Sequence, residues 1–406
     1  MPTETAIREE IKKGNALSIV DLVRHILQYA HAVRASDVHI DPAHGKLRVR
    51  MRIDGVLHEN FSLPKNIHNE VISRVKVLAG LRTDEHQSAQ DGRFRMDGGQ
   101  SGAPLDVRVS IAPTYHGENA VLRLLADTSA QYTLESLGFR ESDREKILRA
   151  VRTPNGMVLA TGPTGSGKTT TLYTLVKLLN TPDISIVTIE DPIEYAIEDI
   201  EQIQVNPRTG LTFAQGLRSI LRQDPNIIMV GEIRDADTAA IAVNAALTGH
   251  LIFSTLHTSD TATTLPRLLD MKIEPYLIAS TVTAVVGQRL VRKICEHCQS
   301  RVKITDAEQE SVRRVLGEAG VGPGGKFSKG NGCEACANTG YHGRICVNEV
   351  LIVDDEIRDA IVRKASAREI ETIAIKNGMT TMLYDAFLKA RAGLTTVEEV
   401  FRVIRE

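Results

Sequence analysis

Apolar positions along this chain change their spacing twice, and each change marks a change of architecture. Residues 5 to 32 carry Leu17, Val20, Leu22, Val23, Ile26 and Leu27 at near-helical spacing, which predicts a helical start. From Asp37-Val38-His39-Ile40 the period falls to two. Lys46 to Ile53 sets Leu47, Val49, Met51 and Ile53 against Arg48, Arg50 and Arg52, and Asp54-Gly55 then gives a two-residue hairpin signal before Val56 to Phe61. Ile67 to Leu81 reads as a helix. Arg93 to Met96, Leu105 to Ile111 and Ala120 to Leu125 read as strands. These elements predict an α+β domain over 1–128, with polar residues from Asp127 to Gln131 leading into a short linker over 129–136.

From Leu137 the pattern becomes strand–helix alternation, the mark of a parallel α/β sheet, and the domain is expected to run over 137–406. Its strands are continuous apolar runs: Met157–Thr161, Ile184–Ile189, Ile227–Val230 and Leu251–Leu256. Polar residues stand at the carboxyl end of each run, where such sheets place their sites. After the first comes Gly162-Pro163-Thr164-Gly165-Ser166-Gly167-Lys168-Thr169, the full phosphate-loop spacing, with Thr170 opening the amphipathic run behind it. Glycines there let backbone N–H groups wrap an anion at a helix N-terminus. Lys168 would reach the β- and γ-phosphates and the Thr169 hydroxyl would ligate Mg²⁺. The motif predicts binding of a nucleoside triphosphate.

The other three strand ends supply Glu190-Asp191-Pro192-Ile193-Glu194, Gly231-Glu232 and His257. A phosphate-loop NTPase commonly ends its third strand with a magnesium-holding Asp. Gly231 stands there instead, so Glu232 or one of Glu190, Asp191 and Glu194 must do the metal and water-orienting work; Asp191 could equally cap a following helix or turn. In the first domain, Arg108 and Arg123 lie between apolar neighbours and point away from the core, which on its own suits solvated surface arginines.

After Leu290, Cys295-Glu296-His297-Cys298 and Cys333-Glu334-Ala335-Cys336 form two C-x-x-C knuckles separated by 34 residues. Four thiolates with no open position predict a structural Zn²⁺ site built from Cys295, Cys298, Cys333 and Cys336, in a module spanning about 291–348. The glycine-rich run from Gly317 to Gly332 would loop out of it; His297 is a bystander and Cys346 a buried thiol. Asp354 to Glu406 reads as one small helical subdomain packing back on the core. The bulk composition adds exclusions. Across 406 residues, 42% apolar and 25% charged content describes ordinary globular domains, and a net charge of -2 with no tryptophan argues against a nucleic-acid partner or a helicase-like ring. No apolar run is long enough to span a bilayer, so a cytoplasmic location with only peripheral membrane contact is expected.

Several of these motifs resemble one family closely. Thr188 to Glu194, Leu217 to Pro225, Gly231-Glu232-Ile233-Arg234-Asp235, Gly249 to Thr258, Ser36 to Pro42, the cysteine knuckles, Gly378 to Thr381 and Gly393 to Val400 are similar to the secretion ATPases, hexameric motors of type II secretion and type IV pili. The resemblance covers nearly the whole chain. It implies a PAS-like N-terminal domain, a RecA-like ATPase domain with an inserted tetracysteine module, ATP, Mg²⁺ and Zn²⁺ as ligands, a homohexamer, and an inner-membrane platform protein as partner. It assigns water polarisation to Glu194, an atypical metal-site role to Glu232, and γ-phosphate sensing or relay to His250 and His257. It turns Arg108 and Arg123 into nucleotide-contacting arginines, and links Arg218 and Arg222 to subunit contacts. Assembly and secretion members carry a further N-terminal platform-docking domain, while this sequence begins almost directly at the second domain. Retraction motors usually lack the knuckles, so the assembly or secretion branch is expected, with pilus retraction as the alternative.

Overall fold

The computed structural model describes residues 4–97, 104–125, 132–321 and 326–404. The chain divides into two compact units, Met1–Gln131 and Tyr132–Glu406. The part of the expected linker over 129–131 lies outside the described residues, and its remainder differs from expectation. Thr133 caps a helical turn, Leu134–Leu137, whose Leu134 and Leu137 are buried in the second unit.

In the first unit six strands form one antiparallel sheet: β1 (Ala35–Ala43), β2 (Lys46–Ile53), β3 (Val56–Pro64), β4 (Gln90–Asp97), β5 (Pro104–Thr114) and β6 (Gly117–Leu125), in the order β3-β2-β1-β6-β5-β4. The alternation in β2 buries Leu47, Val49 and Met51 on the face covered by helices Ile19–Ala32 and His68–Leu78. Asp54 and Gly55 both have positive φ, 48° and 86°, the turn that matches strand twist. The helical start is not continuous. Gly14 takes φ +55° after helix Glu4–Lys12, and Ser18 then caps Ile19–Ala32 by accepting from the Asp21 N–H.

The second unit is built on seven strands: β7 (Gly156–Thr161), β8 (Ile186–Glu190), β9 (Glu201–Gln204), β10 (Ile227–Val230), β11 (Leu251–Leu256), β12 (Val282–Ile294) and, beyond a small ribbon of β13 (Gln299–Lys303) and β14 (Lys326–Gly330), β15 (Tyr341–Ile352). The order is β15-β12-β7-β11-β10-β8-β9, parallel except for the β15 edge. Every residue of β7, β8, β10 and β11 is buried, because helices cover both faces and leave no polar side for alternation. Helices Leu134–Leu137, Glu141–Ala150 and Lys168–Leu179 close one face, with Val158, Ala160 and Phe253 in that core. Helices Phe213–Ile220, Ala236–Leu247, Thr261–Asp270 and Pro275–Thr281 close the other.

The tail is not one subdomain. Helices Asp355–Val362 and Ala367–Lys376 join the sheet core through Ile357, Ile361 and Ile370. Helices Met382–Arg391 and Val397–Ile404 instead pack Phe387, Val400 and Val403 against Val291, Val312, Phe327 and Val347 of the cysteine module and its hairpin. Between the knuckles, Thr305 and Glu308 form a capping box that starts helix Asp306–Leu316. Of the glycine-rich run Gly317 to Gly332, residues 322–325 lie outside the described residues, and Lys326–Gly330 forms β14 against β13.

Candidate active site

The carboxyl ends of β7, β8, β10 and β11 lie side by side, because Val230 pairs with both Ile189 and Ser254, and Leu256 with Thr161. Thr161 locks that edge: its hydroxyl donates to the Thr258 carbonyl at 3.0 Å and accepts the Thr258 N–H at 3.1 Å. The phosphate loop leaves β7 here. Gly162, Gly165 and Gly167 all have positive φ, and Gly167 is the left-handed cap of helix Lys168–Leu179. At Gly162 a Cβ would come within 2.3 Å of the Gln288 carbonyl, whereas at Gly165 it would meet nothing within 4 Å. The loop is therefore tight against the protein at its start and open at its rim, with a helix N-terminus behind it, which fits a polyphosphate.

Lys168 is buried and donates from Nζ to the Gly162 and Pro163 carbonyls at 2.7 and 3.0 Å. Burial pulls its ammonium below the ordinary lysine value, against the pull of the Glu232 charge. Thr169 and Thr170 are half-buried in the first turn behind it. Ser166 is buried, while Pro163 and Thr164 are exposed on the rim.

Glu232 follows β10 and is the acid that the loop's lysine feels. Its side chain is 14% exposed; it accepts from Arg234 and stands 3.0 Å from His257 Nε2. Burial raises the Glu232 carboxyl, but hydrogen bonds and charge from Arg234 and His257 hold it below the ordinary carboxylate range. Arg234 also reaches Asp191 at 3.8 Å, so Asp191 faces this cluster and caps no helix.

The acidic box divides by burial. Glu190 is 2% exposed and takes hydrogen bonds from Tyr173, Thr188 and Gln202, the last two at 2.6 and 3.2 Å. Burial raises its carboxyl despite these donors. It anchors the box internally, which removes it from the candidates for holding metal. Glu194 is half-buried in the loop after β8, close enough for its charge to act on Glu190 and Tyr173.

The two histidines are not together. His257 lies at the carboxyl end of β11, whereas His250 precedes the strand and bonds the Ala245 carbonyl at 2.9 Å. Six residues of strand, roughly 20 Å, separate them. Within this unit His250 is remote from the loop, and the shared histidine-rich motif does not imply a shared position. Arg218 pairs with Asp237 at 2.7 Å, and Arg222 bonds back to the Arg218 carbonyl.

In the first unit Arg93, Arg108 and Arg123 pair directly across β4, β5 and β6. Arg123 Nε bonds Asp37 at 3.0 Å across β1. The exposed-face reading of Arg108 and Arg123 thus becomes a row of guanidiniums on one sheet face.

At the tip of the β12–β15 hairpin, ligand sulfurs of Cys295, Cys298, Cys333 and Cys336 all lie within 4.8 Å of one another. The Cys295–Cys333, Cys298–Cys336 and Cys333–Cys336 separations are 3.8, 3.9 and 3.7 Å. A tetrahedron with Zn–S bonds of about 2.3 Å has edges of about 3.8 Å, so the cluster is compatible with zinc. Cys336 also accepts the Cys333 and Gly340 N–H groups, which favours thiolate. Cys346 is a buried core thiol, pushed up to about 12 by burial.

A model of the family described as "Type II/IV secretion system protein" matches residues 12–402. The chain belongs to that family. It is similar to a "Type IV pilus assembly ATPase PilB" of Thermus thermophilus, 48% identical over 379 residues, covering 93% of this chain and 42% of that one. A "Type II secretion system protein E" of Xanthomonas campestris pv. campestris is 46% identical over 390 residues, covering 96% and 68%. The chain therefore spans less than half of the first relative's length. Among solved structures, the ATPase DotB of Legionella pneumophila matches with a TM-score of 0.67 at 24% identity, covering 93% of each chain. The pilus retraction motor PilT with bound ADP matches with a TM-score of 0.62 at 26% identity, covering 93% and 95%. Among the described residues no helix is long and apolar enough to cross a membrane.

Gln288 escaped the motif reading. So did the Tyr173–Glu190–Gln202 and Thr161–Thr258 contacts. The one available signal was a polar residue inside the apolar run Val285-Val286-Gly287-Gln288.

Proposed function

We propose that this chain is a motor ATPase that hydrolyses ATP to power type IV pilus assembly or type II secretion. The observation carrying this reading is the convergence of the phosphate loop with Glu232 and His257 at adjacent strand ends, in a family with one relative named as a type IV pilus assembly ATPase and another as a type II secretion system protein E. Backbone amides of Gly165 to Thr169 and the Lys168 ammonium bind the phosphates. Mg²⁺ would be held by the Thr169 hydroxyl with help from Glu232, and when bound it neutralises charge developing on the phosphates. Glu194 orients the attacking water. His257 and Arg234 keep Glu232 ionised, and His257 relays the state of the γ-phosphate. Arg108 and Arg123 supply guanidiniums to the nucleotide's phosphates, a kind of contact worth roughly 10³-fold or more in turnover. The active species is a homohexamer working on an inner-membrane platform protein from the cytoplasmic side. Zn²⁺ fills the tetracysteine cluster as a structural ion.

Turnover of Lys168→Ala and Glu194→Gln tests the chemistry: unchanged phosphate release in both would sink the reading. Placed at the native locus, Lys168→Ala should yield cells without surface filaments, or with cargo trapped in the periplasm. Excess filaments would instead identify a retraction motor, the activity named for the PilT neighbour.

A further inference from the structure

Gln288 lies in β12 beside the phosphate loop and is fully buried. Burying a primary amide in an apolar strand is costly unless its polar atoms are matched. Only half of this one is. Its Nε2 donates to the Ser166 carbonyl at 2.9 Å and lies 3.7 Å from Cys346 Sγ, while its Oε1 has no hydrogen-bond partner. The Ser166 hydroxyl, also buried, has none either. The main chain of Gln288 closes on the same loop, since a Cβ at Gly162 would come within 2.3 Å of its carbonyl. Fold stability alone would not select this residue. An apolar side chain of similar volume would fill the space and leave no orphaned acceptor.

We propose that Gln288 is a positioning residue for nucleotide binding. It pins the Ser166 carbonyl, and in doing so presets the amides that follow it toward the phosphates. A loop with three positive-φ glycines has much backbone freedom, and a donor on a rigid strand removes that freedom before the ligand arrives. The ordering cost is then met by the fold, and its loss appears as affinity. This inference rests on the reading that the loop holds a nucleoside triphosphate.

The test is a calorimetric titration of the full chain with MgADP, comparing wild type with Gln288→Met. Losing one neutral hydrogen bond under the loop should weaken binding about fivefold to tenfold and raise the KM for ATP by a similar factor. Turnover at saturating ATP should fall by less than about threefold, because the groups touching the reacting phosphate remain. The thermal midpoint without nucleotide should stay within about 3 °C, since removing the orphaned Oε1 offsets the lost bond. A purely structural role would move the midpoint and leave the affinity of folded protein alone. Wild-type affinity in folded Gln288→Met overturns the proposal. Where that chain fails to fold, Gln288→Asn keeps both polar atoms but withdraws them by one methylene; it should show the same split at smaller amplitude, and wild-type affinity there overturns the proposal equally. If wild type and Lys168→Ala bind no MgADP, the nucleotide reading itself falls, which is a separate outcome from wild-type binding that is unaffected by Gln288.

Discussion

One strand carries both of this chain's sites. β12 passes the phosphate loop at Gln288 and ends at Ile294, where the first cysteine knuckle begins, roughly 20 Å further on. At the loop, shape comes from protein contacts: Gln288 beneath it, Thr258 across from Thr161, and a helix cap at Gly167. At the knuckles, shape depends on bringing together four sulfurs whose surroundings are small, with two short strands and a few apolar residues borrowed from the last two helices. The first site is rigid because a seven-stranded core stands behind it. The second has a smaller core behind it, and under the zinc reading proposed above its shape would depend on the ion. A binding site can thus be prepared by packing or by ligation, and the two respond to different insults.

Removing the ion should separate them most clearly. Chelation, or Cys333→Ser, should abolish zinc content and cost the module on the order of 10 kcal/mol of local stability at neutral pH. Amide exchange should then rise across Gln299–Lys303 and the two terminal helices. MgADP affinity should change by less than about threefold, because Gln288 remains paired with Asn348 of β15 and bonded to the Ser166 carbonyl. Loss of nucleotide binding on chelation would show that the cradle is not self-supporting.

Next in size is Glu232→Gln, which keeps volume while removing the charge that Lys168, Arg234 and His257 face. Turnover should fall about 100-fold or more, with zinc content and folding midpoint nearly unchanged. A variant with normal turnover would move the metal and water work onto the Asp191–Glu194 loop.

The smallest expected effect concerns the tail. Glu399 is buried and accepts from the Arg292 backbone, the Arg292 guanidinium and Arg402. Burial raises its carboxyl, but these donors hold it at about 2. Because the folded value is depressed, its contribution is present above the ordinary carboxylate value of about 4.3 and is lost as pH falls toward 2. Docking of helix Val397–Ile404 should therefore weaken by about 2 kcal/mol across that window, measured as exchange of its amides. Glu399→Gln should flatten the dependence, and a flat wild-type profile would remove Glu399 as the anchor.

Much of this was legible beforehand because the signals are local. Gly162 to Thr169 and the two C-x-x-C runs specify their chemistry through spacing over a few residues, and Asp54-Gly55 specifies a turn by backbone conformation alone. Apolar runs located β7, β10 and β11 because burial on both faces leaves an uninterrupted signature. The same logic failed where burial and polarity disagree. Glu190 reads as an available acid in sequence, yet Tyr173 of the preceding helix and Gln202 of the following strand enclose it. His250 and His257 read as one motif, yet a strand places them at opposite ends of the sheet.

By itself the sequence determined which chemistries are present: a phosphate loop, an acidic box, a pair of cysteine knuckles, and an alternating sheet followed by a parallel one. Only the tertiary structure decided which of those groups meet. Glu232 and His257 come together because β10 and β11 are parallel and in register, and Ser166 meets Gln288 because β12 returns beside β7. The physical reason is that pairing of distant strands sets these neighbours, and no spacing along the chain encodes a hydrogen bond spanning 122 residues.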